Sequence, residues 1–527
     1  KVLISTSEKE MDYYSEDQIE YYSNFFKIFI EIIKSGDYLE KTIKRNHVKT
    51  NYYTVNTVTG DLESQVVNIN NLFNRTGIQY LISNLLSNFM NFAPLGTFIL
   101  GLMGIGVAYK SGFLNTLNKV IAKVFPRKML TFLIVLLGVI FSMFYDVGYV
   151  ILIPMAAILF RDLGRHPSAG ICAAFAGITF GSGANIVANS LDSSLLPYTK
   201  SATTILDATY KVQTNGNLIF MIISTLLVAY IGTIITERVI IPKLGKYNFE
   251  EEEIENRKQE PTKTEITGLI IAIISVVAVL LPIIYCIIPG LPFSGLLLYL
   301  KDSGYVNQLF GSNSYFYKGS VFIFSFLLML AGLVYGLRVK TFKNNRDFVD
   351  GMNYYLKDLS SLLVLIFFAA QLCLIFKQTN LGVFVVASLT NWVSDLQLTG
   401  IVLVLVTFFL TLVSTLLVPV SSTKWAILAP IIVPMFMQSS LTPEFAQAVF
   451  RAADSSVKGI TPLFTYFVIL IGFLQIYNKK KNDPVTISRA ISLMTPYTVA
   501  FTVLWLAIVI IFYTLGIPIG IATKVTL

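Results

Sequence analysis

The sequence predicts an all-α polytopic membrane protein: an inverted-topology repeat with two re-entrant helical hairpins and broken helices. Three observations support this fold class. Hydrophobic residues make up 54% of the 527 residues and charged residues only 13%, and several apolar runs reach the roughly 20 residues that a transmembrane helix requires. One sequence pattern occurs twice at identical spacing. Basic residues cluster in short loops between apolar runs, which indicates the side of the membrane on which each loop lies.

The repeated pattern occupies residues 142–167 and 420–443. In each copy a short polar cluster precedes an aromatic residue, a proline follows five residues later, and a second proline follows thirteen residues after that. The matching pairs are Tyr149 and Trp425, Pro154 and Pro430, and Pro167 and Pro443. A hydrophobic unit that recurs with polar interruptions is typical of secondary transporters built from two related halves.

The first hairpin is predicted at residues 130–160. Five basic residues lie in 110–128, and Arg161 and Arg165 follow the apolar run directly, so both of its ends are expected in the cytoplasm. A run of about 30 residues is too short for two crossings, which require about 40. The chain should therefore turn back within the membrane at 142–149, where Asp146 is an acidic site candidate. Irregular backbone at such depth is tolerated where protein or a water-filled cavity covers it.

The same charge rule orders the remaining segments. A crossing at 168–200, broken at 181–185, and a return at 217–235 complete a first repeat (78–237), and a charged cytoplasmic linker follows at 238–265. The second repeat (266–527) has a hairpin at 400–437 that enters from the outside, and crossings at 266–288, 322–337, 359–376, 444–476 (broken at 453–462) and 493–513. Residues 1–77 form an atypical N-terminal region and outer loop. The two hairpins thus point in opposite directions.

Several functional classes are disfavoured by the sequence. The net charge of +9 is explained by loop lysines and arginines, so no nucleic-acid partner is expected. The phosphate-binding pattern GxxxxGKS/T is absent, which disfavours ATP-driven transport by this chain alone. Three cysteines lie in apolar runs and two histidines form no ligand cluster, so we expect no disulfide, metal or cofactor. The spans contain no serine–histidine pair or metal motif, so an enzyme is not expected.

Several segments resemble the p-aminobenzoyl-glutamate transporter (AbgT) family. They are AAFAGITFGSGANIVANSLD at 173–192, FFAAQ at 367–371, KWAILAPIIVPMF at 424–436, LTPEFAQAVFRAADSS at 441–456, GIGVAYKSG at 104–112 and YTLGIPIG at 513–520. Together they extend in register over about 55–520. The resemblance implies a fold of nine transmembrane helices with two re-entrant hairpins in the ion-transporter superfamily, usually assembled as a homodimer.

The resemblance also implies a function. Family members import the folate breakdown product p-aminobenzoyl-glutamate or export sulfonamide-type antifolates with the proton gradient. We therefore expect an aromatic-amine organic anion as substrate, protons as the coupling ion with sodium as the alternative, and a multi-pass location in the inner (cytoplasmic) membrane. Transport of other organic anions such as dicarboxylates is a second interpretation, and a channel on the same fold is a third.

The N-terminal region departs from the family. Members have a first transmembrane helix before the outer loop that 57–82 resembles, whereas residues 1–50 contain only a short apolar run at 24–33 that carries Lys27 and Glu31. That run is too short and too charged to span a membrane. We expect an N-terminus that is altered or absent rather than a protein that lacks this helix.

Two acidic residues match family positions used in transport. Asp192 follows the break at 181–185, and Asp454 lies at the second break, one helical turn after Arg451. Burial of a carboxylate at membrane depth is costly, so we expect both to serve proton coupling or substrate contact. Arg451 is expected to pair with an anionic group of the substrate. The alternative is a structural ion pair between Arg451 and Asp454.

Aromatic, polar and helix-breaking residues complete the candidate site. Trp425, which also matches a family position, is expected to stack on an aromatic ligand or, alternatively, to anchor the hairpin. Hydrogen-bond donors for the substrate are expected at the second hairpin tip and the first break: Ser421, Ser422 and Asn185. Such residues also satisfy broken backbone, which is the alternative for all three. Architectural roles at helix breaks are expected for four residues: Gly181, Gly183, Pro443 and Pro462.

One departure from the family lies at the second break. Members read D-S-x-T-N-x-I-(S/T)-P there, and this chain has Val457 and Lys458 in place of the Thr and Asn. A lysine ammonium at this depth needs a partner, and Asp454 lies one turn before it. We expect the Lys458 charge to occupy the place of a sodium ion or polar group, which would make transport sodium-independent. The alternative is that Lys458 snorkels from an aqueous cavity.

Overall fold

The computed structural model describes residues 49–56, 61–302, 304–357, 359–479 and 484–527. The predicted fold class is confirmed, because helices dominate the described residues. The first half contains α1 Arg75–Met90, α2 Ala93–Lys110, α3 Phe113–Val124, α4 Arg127–Phe141, α5 Ile153–Asp162, α6 Pro167–Phe180, α7 Ser190–Thr203, α8 Leu218–Ile235, α9 Ile241–Leu244 and α10 Glu251–Lys258. The second half contains α11 Lys263–Cys286, α12 Tyr305–Phe310, α13 Tyr315–Val339, α14 Asn345–Asn353, α15 Leu359–Gln378, α16 Leu381–Asp395, α17 Gly400–Leu417, α18 Ser421–Gln438, α19 Pro443–Val457, α20 Phe467–Ile476 and α21 Ile487–Leu515.

Length and composition suit many of these helices to a membrane. Within the described residues, seven helical segments are long and apolar enough to cross one, and a bent pair formed by α15 and α16, with 46° between its halves, raises the number to eight. Two of the seven, Arg127–Phe144 and Gly400–Leu417, are arms of the predicted hairpins. The shorter apolar helices α6 and α20 belong to the predicted broken helices.

The first hairpin consists of α4 and α5. Between them lie a 3-10 turn at Ser142–Phe144, Tyr145 at a φ of 44°, and a π-helical turn at Gly148–Leu152. Arg165, just after α5, donates from Nη1 to the backbone oxygen of Arg127 (3.1 Å), the first residue of α4. The chain therefore leaves the hairpin where it entered, as the charge pattern predicts.

The second hairpin consists of α17 and α18, joined by residues 418–420. At its start, a Cβ on Gly400 would lie 3.4 Å from the hydroxyl of Tyr513. At its end, the Phe436 ring contacts Phe445 (6.2 Å between centroids), and Phe445 in turn stacks on Tyr513 (6.3 Å). Both ends thus lie near the same residue, and the predicted second hairpin is confirmed.

The bases of the two hairpins lie at opposite ends of the molecule. Glu237, just after α8, pairs with Arg165 at the base of the first hairpin. Lys243, in the short helix that follows, donates to the backbone oxygen of Ser492 (2.6 Å) near the start of α21. From there α21 rises about 30 Å before it reaches Tyr513 at the base of the second hairpin. We call the first of these ends the basic end and the second the opposite end.

Each hairpin is followed by a broken helix. The first comprises α6 and α7, separated by 181–189, and the second comprises α19 and α20, separated by 458–466. Pro167 and Pro443 are the first residues of α6 and α19, where a missing N–H costs no helical hydrogen bond. Pro443 therefore lies at a helix start and not in a break.

Several elements go beyond the sequence prediction. Strands β1 Thr50–Val55 and β2 Leu62–Val67 form an antiparallel hairpin, with Thr50 opposite Val67. Helix α16 occupies a segment for which the sequence predicts no element, and the charged linker contains α10. The N-terminal segment at 24–33 lies outside the described residues.

Candidate functional site

The second broken helix carries the centre of the candidate site. All fifteen residues of α19 are buried, including Arg451 and Asp454 at 0% exposure. A polar helix survives such burial only when its charged groups find partners. Those partners come from the tip of the second hairpin and from the first broken helix.

Asp454 is the acceptor of a buried cluster at the tip of the second hairpin. Its Oδ1 accepts from the ammonium of Lys424, and its Oδ2 accepts from Lys458 (2.6 Å) and Ser421 Oγ (2.6 Å). Thr415 Oγ1 lies 3.2 Å from Oδ1 and also accepts from Lys424 Nζ (2.7 Å). Two ammonium groups thus share one carboxylate in a site closed to water.

Lys458 forms the ion pair that its position one turn after Asp454 predicts, and this prediction is confirmed. Its Nζ also donates to Ser421 Oγ (2.9 Å), and the residue is 1% exposed. In this conformation the ammonium does not reach water, which favours the ion pair over the snorkelling interpretation.

Arg451 and Asp192 form a second buried ion pair. Arg451 Nη1 donates to Asp192 Oδ1 at 2.5 Å, although the two residues are 259 positions apart. Asp192 lies in the capping box that begins α7, where its Oδ2 accepts from the backbone N–H of Asn189 (3.0 Å). The predicted alternative, an ion pair between Arg451 and Asp454, is wrong, because each residue has a different partner.

Two nitrogens of the Arg451 guanidinium have no hydrogen-bond partner. Its Nε and Nη2 are buried and make no hydrogen bond, and the side-chain nitrogen of Asn189 is in the same state. Leaving a buried charged donor unsatisfied costs free energy. An arginine whose fork is only partly used has the geometry to hold a carboxylate in addition.

Trp425 lies in the interior and offers no accessible face in this conformation. Its exposure is 0%, its ring lies 4.6 Å from that of Phe450, and its Nε1 donates to Thr199 Oγ1 (2.8 Å) in α7. Thr199 in turn donates to Gln447 Oε1 (2.7 Å) in α19. These contacts are those of an anchor between the hairpin and both broken helices. Stacking on a ligand would require the surrounding elements to move.

The first break is tied to the first hairpin through Asn185. Its Nδ2 donates to the backbone oxygen of Val139 (3.1 Å), and its Oδ1 accepts from the N–H of Ile186 (2.9 Å). These contacts satisfy broken backbone, which is the alternative role predicted for this residue. Gly183 lies so close to α19 that a Cβ would come within 2.6 Å of the backbone oxygen of Arg451. At Gly181 a Cβ would come within 2.3 Å of the backbone oxygen of Gly177.

The remaining candidates lie around this centre. Asp146, at the tip of the first hairpin, accepts a hydrogen bond from the Tyr466 hydroxyl in the second break. The backbone oxygen of Pro462, in the same break, lies 3.8 Å from Cys373 Sγ. Ser422 is half-buried on α18, next to Ser421. In the described parts of the chain, no group of three or more His, Cys, Asp or Glu side chains could hold a metal ion.

Sequence reasoning did not single out several residues that form the site. The structure adds Lys424, Thr415, Thr199 and Gln447. A signal existed for Lys424, because a lysine inside an apolar run must find a buried partner. The other three are uncharged, and nothing in their spacing reveals contacts between segments that are distant in sequence.

Comparisons with known proteins agree with the resemblance in the sequence. A model described as "AbgT putative transporter family" matches residues 44–527. The p-aminobenzoyl-glutamate transport protein of Escherichia coli (strain K12) is 30% identical over 456 residues, which cover 86% of each chain.

Two solved structures are similar. The YdaH transporter of Alcanivorax borkumensis is 28% identical, with a TM-score of 0.48 over 96% of this chain and 100% of its own. MtrF of Neisseria gonorrhoeae, one of a class of antimetabolite efflux pumps, is 30% identical, with a TM-score of 0.46 over 97% and 98%. With a family match over nearly its whole described length, this chain belongs to the AbgT family of membrane transporters.

Proposed function

We propose that the protein is a proton-driven secondary transporter of p-aminobenzoyl-glutamate and related aromatic-amine anions, with sulfonamide-type antifolates as further substrates. The name of the Escherichia coli relative supports this substrate class. The observation that carries the proposal is the partly satisfied guanidinium of Arg451 in the buried centre of the molecule.

Arg451 would hold the substrate through its carboxylate. The two donors without partners, Nε and Nη2, lie on one edge of the guanidinium, which matches the two oxygens of a carboxylate. A charge-assisted bidentate contact in a site closed to water is stronger than the same contact at a surface. The hinge for release is the break between α19 and α20, because an alternating-access carrier must open the site to each side in turn.

Asp192 would couple protons to this step. Its carboxylate holds Arg451 Nη1 in the present conformation, so it competes with an incoming carboxylate for the same guanidinium. Protonation of Asp192 removes that competition, so a proton and an anionic substrate would enter the site together. The charge of Arg451 would then be balanced in every state of the cycle.

A sodium ion would not bind at the other acidic residue, Asp454. Both oxygens of Asp454 accept from side-chain donors, two of which are the ammonium groups of Lys424 and Lys458. A cation entering this site would meet two positive charges. Flux should therefore be the same in sodium and in choline at fixed pH. Strict sodium dependence of the parent would contradict this, and sodium dependence gained only in Lys458→Asn would support it.

The test is flux of labelled p-aminobenzoyl-glutamate in proteoliposomes with an imposed proton gradient. Arg451→Ala and Arg451→Lys should abolish saturable flux, since a lysine cannot reproduce the bidentate contact. Asp192→Asn keeps the size of the side chain and should remove the dependence of flux on the proton gradient. Arg338→Ala, at an exposed arginine outside the site, is the matched control.

Two results would overturn the proposal. One is gradient-driven flux in Asp192→Asn that equals the parent at equal expression. The other is unchanged substrate binding in purified Arg451→Ala. A dicarboxylate without a ring, used as a competitor, tests the second interpretation, transport of other organic anions. Strong competition by that compound would identify a general organic-anion carrier. Assembly as a homodimer and location in the inner membrane stay predictions.

A further inference from the structure

A cavity lies at the basic end of the molecule, away from Arg451. Its volume is about 500 Å³, and five parts of the chain line it: the end of α2, the end of α5, residues 247–250 before α10, α14 with the segment after it, and the end of α20 with the residues that follow. A smaller cavity of about 280 Å³ adjoins it and shares Lys110, Arg161 and Tyr354 in its wall. Ligand pockets of small molecules span about 300–1,000 Å³, so the larger cavity has room for a drug-sized molecule.

The wall of this cavity is aromatic. Tyr354 and Tyr355 line it, and Tyr109 lines the adjoining smaller cavity. Every pair of these three rings is in contact, with centroid distances of 5.1–5.6 Å. Tyr247 and Tyr477 add two more rings to the lining. Tyrosines that form an aromatic belt face lipid at the membrane surface. These rings instead line a partly open cavity, so a belt does not account for them.

The wall is also positively charged, and its cations lie against the rings. Arg161 Cζ lies 5.1 Å from the Tyr109 centroid, Lys110 Nζ lies 5.8 Å from that of Tyr354, and Lys479 Nζ lies 5.2 Å from that of Tyr247. Lining cations outnumber lining carboxylates by four to two: Lys110, Arg161, Lys357 and Lys479 against Glu250 and Asp350. The rule that places basic residues in the cytoplasm explains their side of the membrane. It does not explain why three of the four lie over a tyrosine ring.

We propose that this cavity is a second binding site, a cytoplasmic vestibule that takes aromatic carboxylates before they reach the central site. Aromatic faces bind the ring of such a ligand, and the surplus of cations binds its anionic group. The vestibule is connected to the centre by the second broken helix: Tyr477 follows the last residue of α20, whose partner helix α19 carries Arg451. This proposal rests on the proposed function, since it assigns the same substrate class to a second place.

Stoichiometry of binding distinguishes the two sites. Purified full-length protein in detergent should bind two molecules of labelled p-aminobenzoyl-glutamate per chain in equilibrium dialysis. The double variant Lys110→Ala/Tyr354→Ala should weaken one of the two sites at least about tenfold and leave the other intact. Both side chains are exposed, so the fold tolerates their loss. Lys128→Ala/Tyr230→Ala, at an exposed lysine and an exposed tyrosine that line neither cavity, is the matched control.

These variants distinguish a failure of the vestibule from a failure of the proposed function. Arg451→Ala should lose the central site and keep the vestibule; if it binds two molecules like the parent, the proposed function fails while the vestibule stands. If the Lys110→Ala/Tyr354→Ala variant binds like the parent, the vestibule is overturned. Free glutamate and neutral benzamide should each bind at least about tenfold more weakly, because each lacks one half of the recognised chemistry.

The second measurement is KM for substrate supplied at each face of the membrane. In oriented vesicles, Lys110→Ala/Tyr354→Ala should raise KM for substrate presented at the basic face and leave KM at the opposite face unchanged. An equal rise on both faces would contradict a vestibule. Anionic lipid is the other candidate occupant of a basic pocket at this depth. If phosphatidylglycerol micelles bind at this cavity and p-aminobenzoyl-glutamate does not displace them, the site is a lipid site and the proposal is wrong.

Discussion

The two hairpin units share a backbone plan. Each broken helix begins with a proline at its first position, and each break is tied to the first arm of the preceding hairpin by a side-chain hydrogen bond. Asn185 donates to the backbone oxygens of Val139 and Ile140, and Thr461 donates to that of Leu416. The separations of Ile140 from Asn185 and of Leu416 from Thr461 are identical, 45 residues.

Their charges differ. At the first tip, Asp146 is half-buried and its hydrogen-bond partner is a neutral tyrosine hydroxyl. At the second, Asp454 is fully buried between the ammonium groups of Lys424 and Lys458. The repeat thus preserves the elements that break and hold helices, while of the two tips only the second has a carboxylate held between two ammonium groups. This asymmetry locates the centre of function more sharply than the shared architecture does.

The largest expected effect comes from removing the carboxylate at the second tip. Asp454→Asn leaves two buried ammonium groups without a counter-charge and should lower the free energy of unfolding by about 3–5 kcal/mol. Asp146→Asn keeps an acceptor for Tyr466 and should cost no more than about 1 kcal/mol. Unfolding of both purified variants in mixed micelles measures the difference.

A variant that replaces all the charges of the cluster tests the same comparison further. Replacement of the whole buried cluster by apolar residues of similar volume (Asp454→Leu, Lys424→Met, Lys458→Met) should recover most of the lost stability. Transport should stay absent in that variant. Equal destabilisation by Asp454→Asn and Asp146→Asn would show that the two tips are energetically alike, contrary to their different charges.

The sequence predicts the architecture well because hydropathy and loop charge are local signals. Run length and flanking charge locate both hairpins, and polar interruptions locate both breaks. The second break begins at 458 rather than at the predicted 453, because α19 continues to Val457. Helix α16 is missed because its run is short and includes polar residues such as Asn391. The strands β1 and β2 are also missed, since each has only six residues and β2 is exposed at five of them.

The sequence indicates many of the residues that belong to the site, but not which of them contact one another. The Lys458–Asp454 contact lies within one helix, so its spacing reveals it. Arg451 and Asp192 come from different halves of the chain, and the sequence instead suggests the nearer but wrong partner, Asp454. Trp425 shows the same limit, since its position at a tip does not reveal that Phe450 and Thr199 enclose it.

A smaller effect is expected at the repeated aromatic position. Tyr149 and Trp425 each form a hydrogen bond with a threonine of the first broken helix, Thr179 (3.0 Å) and Thr199 (2.8 Å). Tyr149→Phe removes only that bond and should cost about 1 kcal/mol of stability. Trp425→Phe also leaves a cavity and should cost about 2 kcal/mol. Stability from unfolding curves and substrate affinity from dialysis should be measured together, because a Trp425→Phe variant that loses affinity but no stability would identify a stacking residue rather than an anchor.

The smallest expected effect is a pH dependence that only one of the two broken helices carries. His166 caps α6, where its Nδ1 accepts from the backbone N–H of Ser168 (3.2 Å), whereas Thr442 caps α19. Burial, with a smaller effect of Arg489, lowers the pKa of His166 from 6.5 to about 4. Because the folded state binds this proton less readily, its contribution is complete above pH 6.5 and is lost as the pH falls towards 4. A protonated Nδ1 can no longer accept, so the loss should approach the value of one cap, about 1 kcal/mol. The melting temperature of the parent should fall over this range more than that of His166→Thr, which keeps a cap that does not titrate. Parallel curves for the two proteins would show that other groups set the acid sensitivity.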